Sequence, residues 1–267
     1  MLRAFLFLLL LWLLPQPVLA QVMLLVPGFQ TEQQTHPFRE AGVPVPLLAS
    51  GWTDGGQMLP SLQGVEFDRS PEARSRLFYT LVMPTDRPIS MQAEWLNLYL
   101  DAATRRHPDE PVILVAHSLA GVVARYSLVT RKRPEVSALI TIASPHVDGT
   151  MIQLGDFFWQ SPLGTYAPLM GQADLRRLLE LYTGISPDQS GNVLRWLSHQ
   201  THPEIRYVGI VRMADTVVEP MLQDLNRVAD LRGRAERLLS PGGHALTASD
   251  GTVLAALFSE IVAQPGR

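Results

Sequence analysis

The stretch from Val112 to Arg125 constrains the fold of this chain more than any other. Val112, Ile113, Leu114, Val115 and Ala116 follow Pro111 without a polar interruption. A continuously apolar run of that kind reads as a parallel strand buried on both faces. Helical spacing begins at once, with Leu119, Val122, Val123 and Tyr126 at i, i+3, i+4 and i+7. Between strand and helix lies Ala116-His117-Ser118-Leu119-Ala120, a serine in a turn flanked by small residues. A strand that turns sharply into a helix needs those small residues, because larger side chains would collide. The apex residue is pushed out of the sheet with the helix N-terminus behind it, which makes Ser118 a candidate nucleophile.

Ala116-His117-Ser118-Leu119-Ala120-Gly121, followed by Val122-Val123-Ala124-Arg125-Tyr126, resembles a stretch of lipases and esterases in the α/β-hydrolase superfamily. The family's version reads Gly-His-Ser-Met-Gly-Gly-Leu-Val-Ala-Arg-Tyr. Ala116 and Ala120 stand where the family usually has glycine, while Gly121 remains. The resemblance implies an α/β fold with a mainly parallel central sheet flanked by helices.

The rest of the chain fits one such domain. Arg3, the apolar run Ala4 to Leu14, the breakers Pro15 and Pro17, and Ala20 before Gln21 read as a secretory signal peptide over 1–20. The run is short of the roughly 18 residues that span a bilayer. Residues 21–267 are then a single exported domain, periplasmic or secreted. Loss of Arg3 alone takes the formal net charge from −3 to −4, and that mild acidity argues against a nucleic-acid partner. There is no cysteine, so the fold rests on its core without disulfides.

Taken in order, Val22-Met23-Leu24-Leu25-Val26 reads as the first buried strand, ended by Pro27-Gly28-Phe29. Related hydrolases carry a His-Gly or Pro-Gly pair here. By that resemblance the Phe29 N–H is one oxyanion donor and the Leu119 N–H the other. Gly51-Trp52-Thr53-Asp54-Gly55-Gly56 reads as a surface loop or the lead into a short helix. Leu77 to Met83 reads as a strand, and Leu96, Tyr99, Leu100 and Ala103 form one face of a helix that starts near Ser90. Val136 to Ala143 reads as the next strand, followed by Ser144-Pro145-His146. That turn resembles the family's Thr-Pro-His, which makes His146 a structural residue near the site. Alternation of strands and helices implies a parallel sheet with right-handed crossovers.

Residues 147–203 interrupt the alternation. The Phe157-Phe158-Trp159 cluster, a stripe of Leu175, Leu178, Leu179 and Tyr182, and a second stripe from Val193 read as a helical insertion. Related lipases carry a cap or lid there; a helix pair packed permanently on the sheet fits the stripes equally well. The sheet resumes at Ile205 to Val211, and Asp215, followed by Val217-Val218 and Pro220, resembles the family's Asp-x-x-Val-Pro site for the triad acid. Glu219 is the competing carboxylate. Pro220 to Leu239 reads as a helix with Met221, Leu225 and Val228 on one face. Ser240 to His244 reads as a flexible turn, and Asp250 or Ser249 as the cap of a last helix with Leu254, Leu257, Phe258 and Ile261 inward. His244, on a Gly-rich loop before that helix, is where the family places its base. His117 adjoins Ser118, and adjacent side chains at such a turn point apart.

Ser118, Asp215 and His244 thus fall in the nucleophile-acid-base order of α/β-hydrolases. The resemblance implies a serine carboxylic ester hydrolase, a lipase or esterase, with an ester or lipid substrate and transient contact with a lipid interface. An acyltransferase on the same triad, or a catalytically silent binding protein of this fold, are the alternatives. No metal or organic cofactor is implied, because the sequence has no HExxH motif, no cysteine cluster and no dinucleotide-type glycine run.

Overall fold

The computed structural model describes residues 21–29, 36–70, 76–147 and 192–263, with side chains as far as Phe258 in the last helix. Residues 1–20, the Phe157-Phe158-Trp159 cluster, the Leu175 to Tyr182 stripe and the Ile261 side chain lie outside this description.

The chain opens with β1 (Gln21–Val26), then two short helices, α1 (Pro37–Glu40) and α2 (Pro44–Ala49). A hairpin of β2 (Thr53–Ser61) and β3 (Gly64–Phe67) precedes β4 (Arg76–Leu81). Helix α3 (Ile89–Arg106) leads to β5 (Val112–His117), α4 (Ala120–Thr130) and β6 (Val136–Ile142). Then come α5 (Val193–Leu197), β7 (Arg206–Arg212), three 3-10 turns over 220–231, β8 (Ala235–Ser240) and α6 (Ala248–Ala263). The eight strands form one sheet in the order β3-β2-β4-β1-β5-β6-β7-β8. Only the β2–β3 pairing is antiparallel.

The continuous apolar runs have a direct cause. In β1, Val22, Leu24 and Val26 pack with α3 and α4 on one face, while Met23 and Leu25 pack with α1, α2 and α6 on the other. The same alternation holds in β5, where Leu114 faces one layer and Val115 the other. The apolar residues of both strands are therefore inside, and every one of Val22 to Val26 is fully buried. The chain crosses from β4 over β1 to β5, so the sheet's winding direction changes at β1. Loops leaving β1 and β5 diverge there, and such a crevice is where open α/β sheets bind ligands.

The structure corrects four readings. Of the loop expected at Gly51 to Gly56, Gly51 and Trp52 lie outside any strand, but Thr53 to Gly56 are the start of β2, the second strand from one edge of the sheet. Glycines hid it: a Cβ on Gly55 would lie 2.3 Å from the Tyr79 ring, and Gly56 has φ +90° in a bulge between Asp54 and Gln57. No helix spans 220–239. Leu222, Leu225, Val228 and Leu231 are the buried apolar positions, a strict spacing of three that suits 3-10 turns, while Met221 is half exposed. Ala235 to Ser240 is an edge strand, its helix-forming residues overridden by pairing with β7. Ser240 therefore ends that strand and does not begin a flexible turn. Helix α6 starts at Ala248, before either proposed cap: the Thr247 N–H donates to Asp250 Oδ2 at 2.8 Å, which places Asp250 in the first turn.

From the 147–203 region, α5 is built into the layer over α4. Leu194 and Leu197 are fully buried there, and the Trp196 ring meets Tyr126 at 5.3 Å.

Candidate active site

The elbow is fixed by close backbone packing. Ser118 has φ +54°, a left-handed conformation that costs a non-glycine residue about 1–2 kcal/mol. Its N–H donates to Ile142 O on the neighbouring strand at 2.9 Å, which holds the apex in that conformation. The helix behind it must come close. A Cβ on Gly121 would lie 2.5 Å from Ser144 Oγ, so the glycine retained from the family pattern is the one with no room for a side chain. Ala116 and Ala120, the two departures, are buried without conflict. The loop after β1 closes the other side: a Cβ on Gly28 would lie 2.9 Å from both His117 O and Ser118 Cβ. Phe29 follows Gly28, and Leu119 opens α4; neither backbone N–H donates to another backbone group among the described residues.

The three sequence-predicted side chains meet. Ser118 Oγ lies 2.9 Å from His244 Nε2, and His244 Nδ1 lies 2.9 Å from Asp215 Oδ2. A carboxylate only accepts, so Nδ1 carries the proton and Nε2 is left to accept from the serine hydroxyl. Asp215, not Glu219, supplies the carboxylate at Nδ1. Its side chain is fully buried, and every oxygen is engaged. Oδ1 accepts from the Val217 and Val218 N–H groups at 2.8 and 3.0 Å, and Oδ2 accepts from Gln223 Nε2 at 2.9 Å.

His117 does not face the serine. Its Nε2–H donates to the His244 carbonyl at 2.9 Å, and the two imidazoles sit 5.2 Å apart. Burial, with the His244 and Arg212 charges adding to it, pushes the His117 pKa down to about 3, so it stays a neutral donor. The residue beside Ser118 thereby holds the backbone of the loop that carries His244.

Two further groups were not singled out from the sequence for this site. Gln223 sits in the first 3-10 turn, and Arg212 ends β7. The Arg212 guanidinium is buried, pairs with Asp250 in α6 and donates to Ser240 Oγ at 2.8 Å. It lies directly beneath Gly242, where a Cβ would approach Nη1 to 2.5 Å. Met213 N–H donates to Ser240 O and Ala214 N–H to Gly242 O. The loop carrying Asp215 and the loop carrying His244 are thus stitched together at their roots.

His146 is buried behind the elbow, as a structural residue. Its ring meets Thr141 Oγ1 at 3.0 Å, and its carbonyl accepts from Arg125 Nη1 at 2.8 Å. Arg125, from the Val-Val-Ala-Arg-Tyr stretch, is fully buried and also bonds His202 Nε2 at 3.2 Å. Burial lowers the Arg125 pKa to about 10 and holds His146 well below the ordinary imidazole value.

Comparison with known proteins gives the same picture at the level of fold. A family model described as a PGAP1-like alpha/beta domain matches residues 88–159, from α3 through the elbow and beyond β6. No curated protein matches the sequence. Among solved structures, an esterase from Pyrococcus furiosus superposes with a TM-score of 0.55 at 14% identity, over 90% of this chain and 80% of that one. A provisionally named lipase from Acinetobacter baumannii gives 0.59 at 11%, over 91% and 84%. A provisionally named cell surface hydrolase from Lactobacillus plantarum gives 0.55 at 16%, over 93% and 94%. At such identities the likeness is one of fold.

Proposed function

From the premise that this chain has the α/β-hydrolase fold, we propose that it is a serine hydrolase of carboxylic esters, acting through an acyl-enzyme on Ser118. The observation that carries the reading is the unbroken Ser118–His244–Asp215 contact, 2.9 Å at each step, at the carboxyl ends of β5, β7 and β8. His244 Nε2 takes the hydroxyl proton as Ser118 Oγ attacks the ester carbonyl. Asp215 holds the imidazole by Nδ1–H and stabilises its cation. The Phe29 and Leu119 N–H groups receive the oxyanion, and one such donor is worth about 3 kcal/mol. His244 then gives its proton to the leaving alcohol, and a water repeats the cycle in reverse to free the acid.

In this reading residues 1–20 direct export and are removed, and the part of the 147–203 insertion before α5 caps the acyl side of the substrate. N-terminal sequencing of the mature protein tests the first point, with Gln21 as the expected first residue. A panel of p-nitrophenyl esters from acetate to palmitate tests the activity. Turnover of at least one member, lost in Ser118→Ala, is expected. No turnover across the panel would favour a binding protein on this fold.

A further inference from the structure

Gln223 is 1% exposed and uses its amide on three partners. Nε2 donates to Asp215 Oδ2 at 2.9 Å and to Val218 O at 2.6 Å, while Oε1 accepts from the Arg212 N–H at 2.8 Å. The partners fix which end is which. A carboxylate and a carbonyl only accept, and a backbone N–H only donates, so the amide cannot be turned over. Asp215 Oδ2 is also the atom that receives His244 Nδ1–H. Gln223 and His244 therefore compete for charge on the same oxygen.

We propose that Gln223 is a positioning residue for the acid-base pair: its amide holds the Asp215 carboxylate against His244 and tempers the negative charge that the imidazole meets. The inference rests on the ester-hydrolase reading above. Two donors on Oδ2 share its charge, so the imidazolium is stabilised less than a lone carboxylate contact would stabilise it. The acceptor end ties the amide to Arg212, and so to the same root that anchors the His244 loop through Ser240.

Among the described residues, the groups that face His244 include Asp215, Ser118, the neutral His117 ring, and Arg212 beneath Gly242 with its partner Asp250. Of these, Asp215 and the Arg212 N–H bond Gln223 directly.

The test follows the rate of Ser118 labelling by a fluorophosphonate from pH 5 to pH 9, on the full chain, in wild type, Gln223→Met and Gln223→Leu. Both variants remove the donor to Asp215 Oδ2, Met at similar length and Leu with a shorter, branched chain. In both variants the acid limb is expected to move to higher pH by about 0.5–1 unit. The plateau rate is expected to fall about tenfold, the scale of a small misplacement of a catalytic group. Acid limbs within about 0.2 unit of wild type in folded variants would overturn the proposal, as would failure of both variants to fold, which would mark a purely structural residue. Wild type that is not labelled would overturn the hydrolase reading instead.

Discussion

The two arms of the site are held by different physics. The nucleophile arm, from β1 through β5 and α4 to β6, is fixed by contact. Its strands are buried on both faces, and Gly28 and Gly121 sit where any side chain would strike backbone or Ser144. The acid-base arm, from β7 through the 3-10 turns and the edge strand β8, is fixed by polar bonds. Asp215, Gln223, Arg212, Ser240 and Asp250 form a buried chain of hydrogen bonds and one ion pair. An apex serine held in a left-handed conformation needs rigid walls. A carboxylate and an imidazole need oriented donors, because their charge has to be met at particular atoms.

That difference predicts how each arm fails. The largest effect is chemical: Ser118→Ala should lower ester hydrolysis by about four orders of magnitude or more with the fold intact. Adding His244→Ala to it should cost little further, since both disable one step; multiplicative losses in the double variant would separate the arms' functions.

Acid comes next, and it should strike the nucleophile arm. His36 and His117 are buried as neutral rings, with pKa pushed down to about 3 by burial, and His146 is held low as well. An unfolded histidine titrates near 6.5, so between there and about 3 the unfolded chain binds more protons. Stability is complete above 6.5 and falls as pH drops, by up to about 1.4 kcal/mol per pH unit for each ring. Urea midpoints measured from pH 7 to pH 5 should fall steadily; a flat profile would contradict the burial of these rings.

On the other arm, Asp250→Asn should cost about 3–5 kcal/mol of unfolding free energy by leaving the buried Arg212 without its carboxylate. Activity should fall with it, because the Asp215 and His244 loops share that root. A loss of stability with unchanged kcat in the folded fraction would show that the ion pair serves the core alone.

Legibility in the sequence divides along the same line. Contact leaves a strong pattern: buried strands such as Val22 to Val26 and Val112 to Ala116 read as apolar runs, and small residues mark the elbow. Asp215 and His244 were singled out through family resemblance and chain order. Gln223, Arg212 and the His117 carbonyl contact left no pattern, because hydrogen bonds between distant loops have no sequence period. β8 was hidden for a related reason. Its residues have half-exposed, helix-prone character, and only pairing along β7 makes them a strand. β2 was obscured by the glycines that its own packing requires.

The smallest effect sharpens the contact side. Gly121→Ala should cost about 1–3 kcal/mol and slow turnover, since its Cβ must displace Ser144 from beneath the elbow. If Gly121→Ala is silent and Gly121→Ala/Ser144→Ala is no better, the steric account of the elbow is wrong.

The most direct test of the central claim is the site of covalent capture. Wild-type protein treated with a fluorophosphonate should gain one adduct, and peptide mass spectrometry should place it on Ser118. His244→Ala, folded and with Ser118 intact, should be labelled slower by several orders of magnitude. An adduct on another residue, or a His244→Ala variant labelled as fast as wild type, would contradict a Ser118 nucleophile activated by His244.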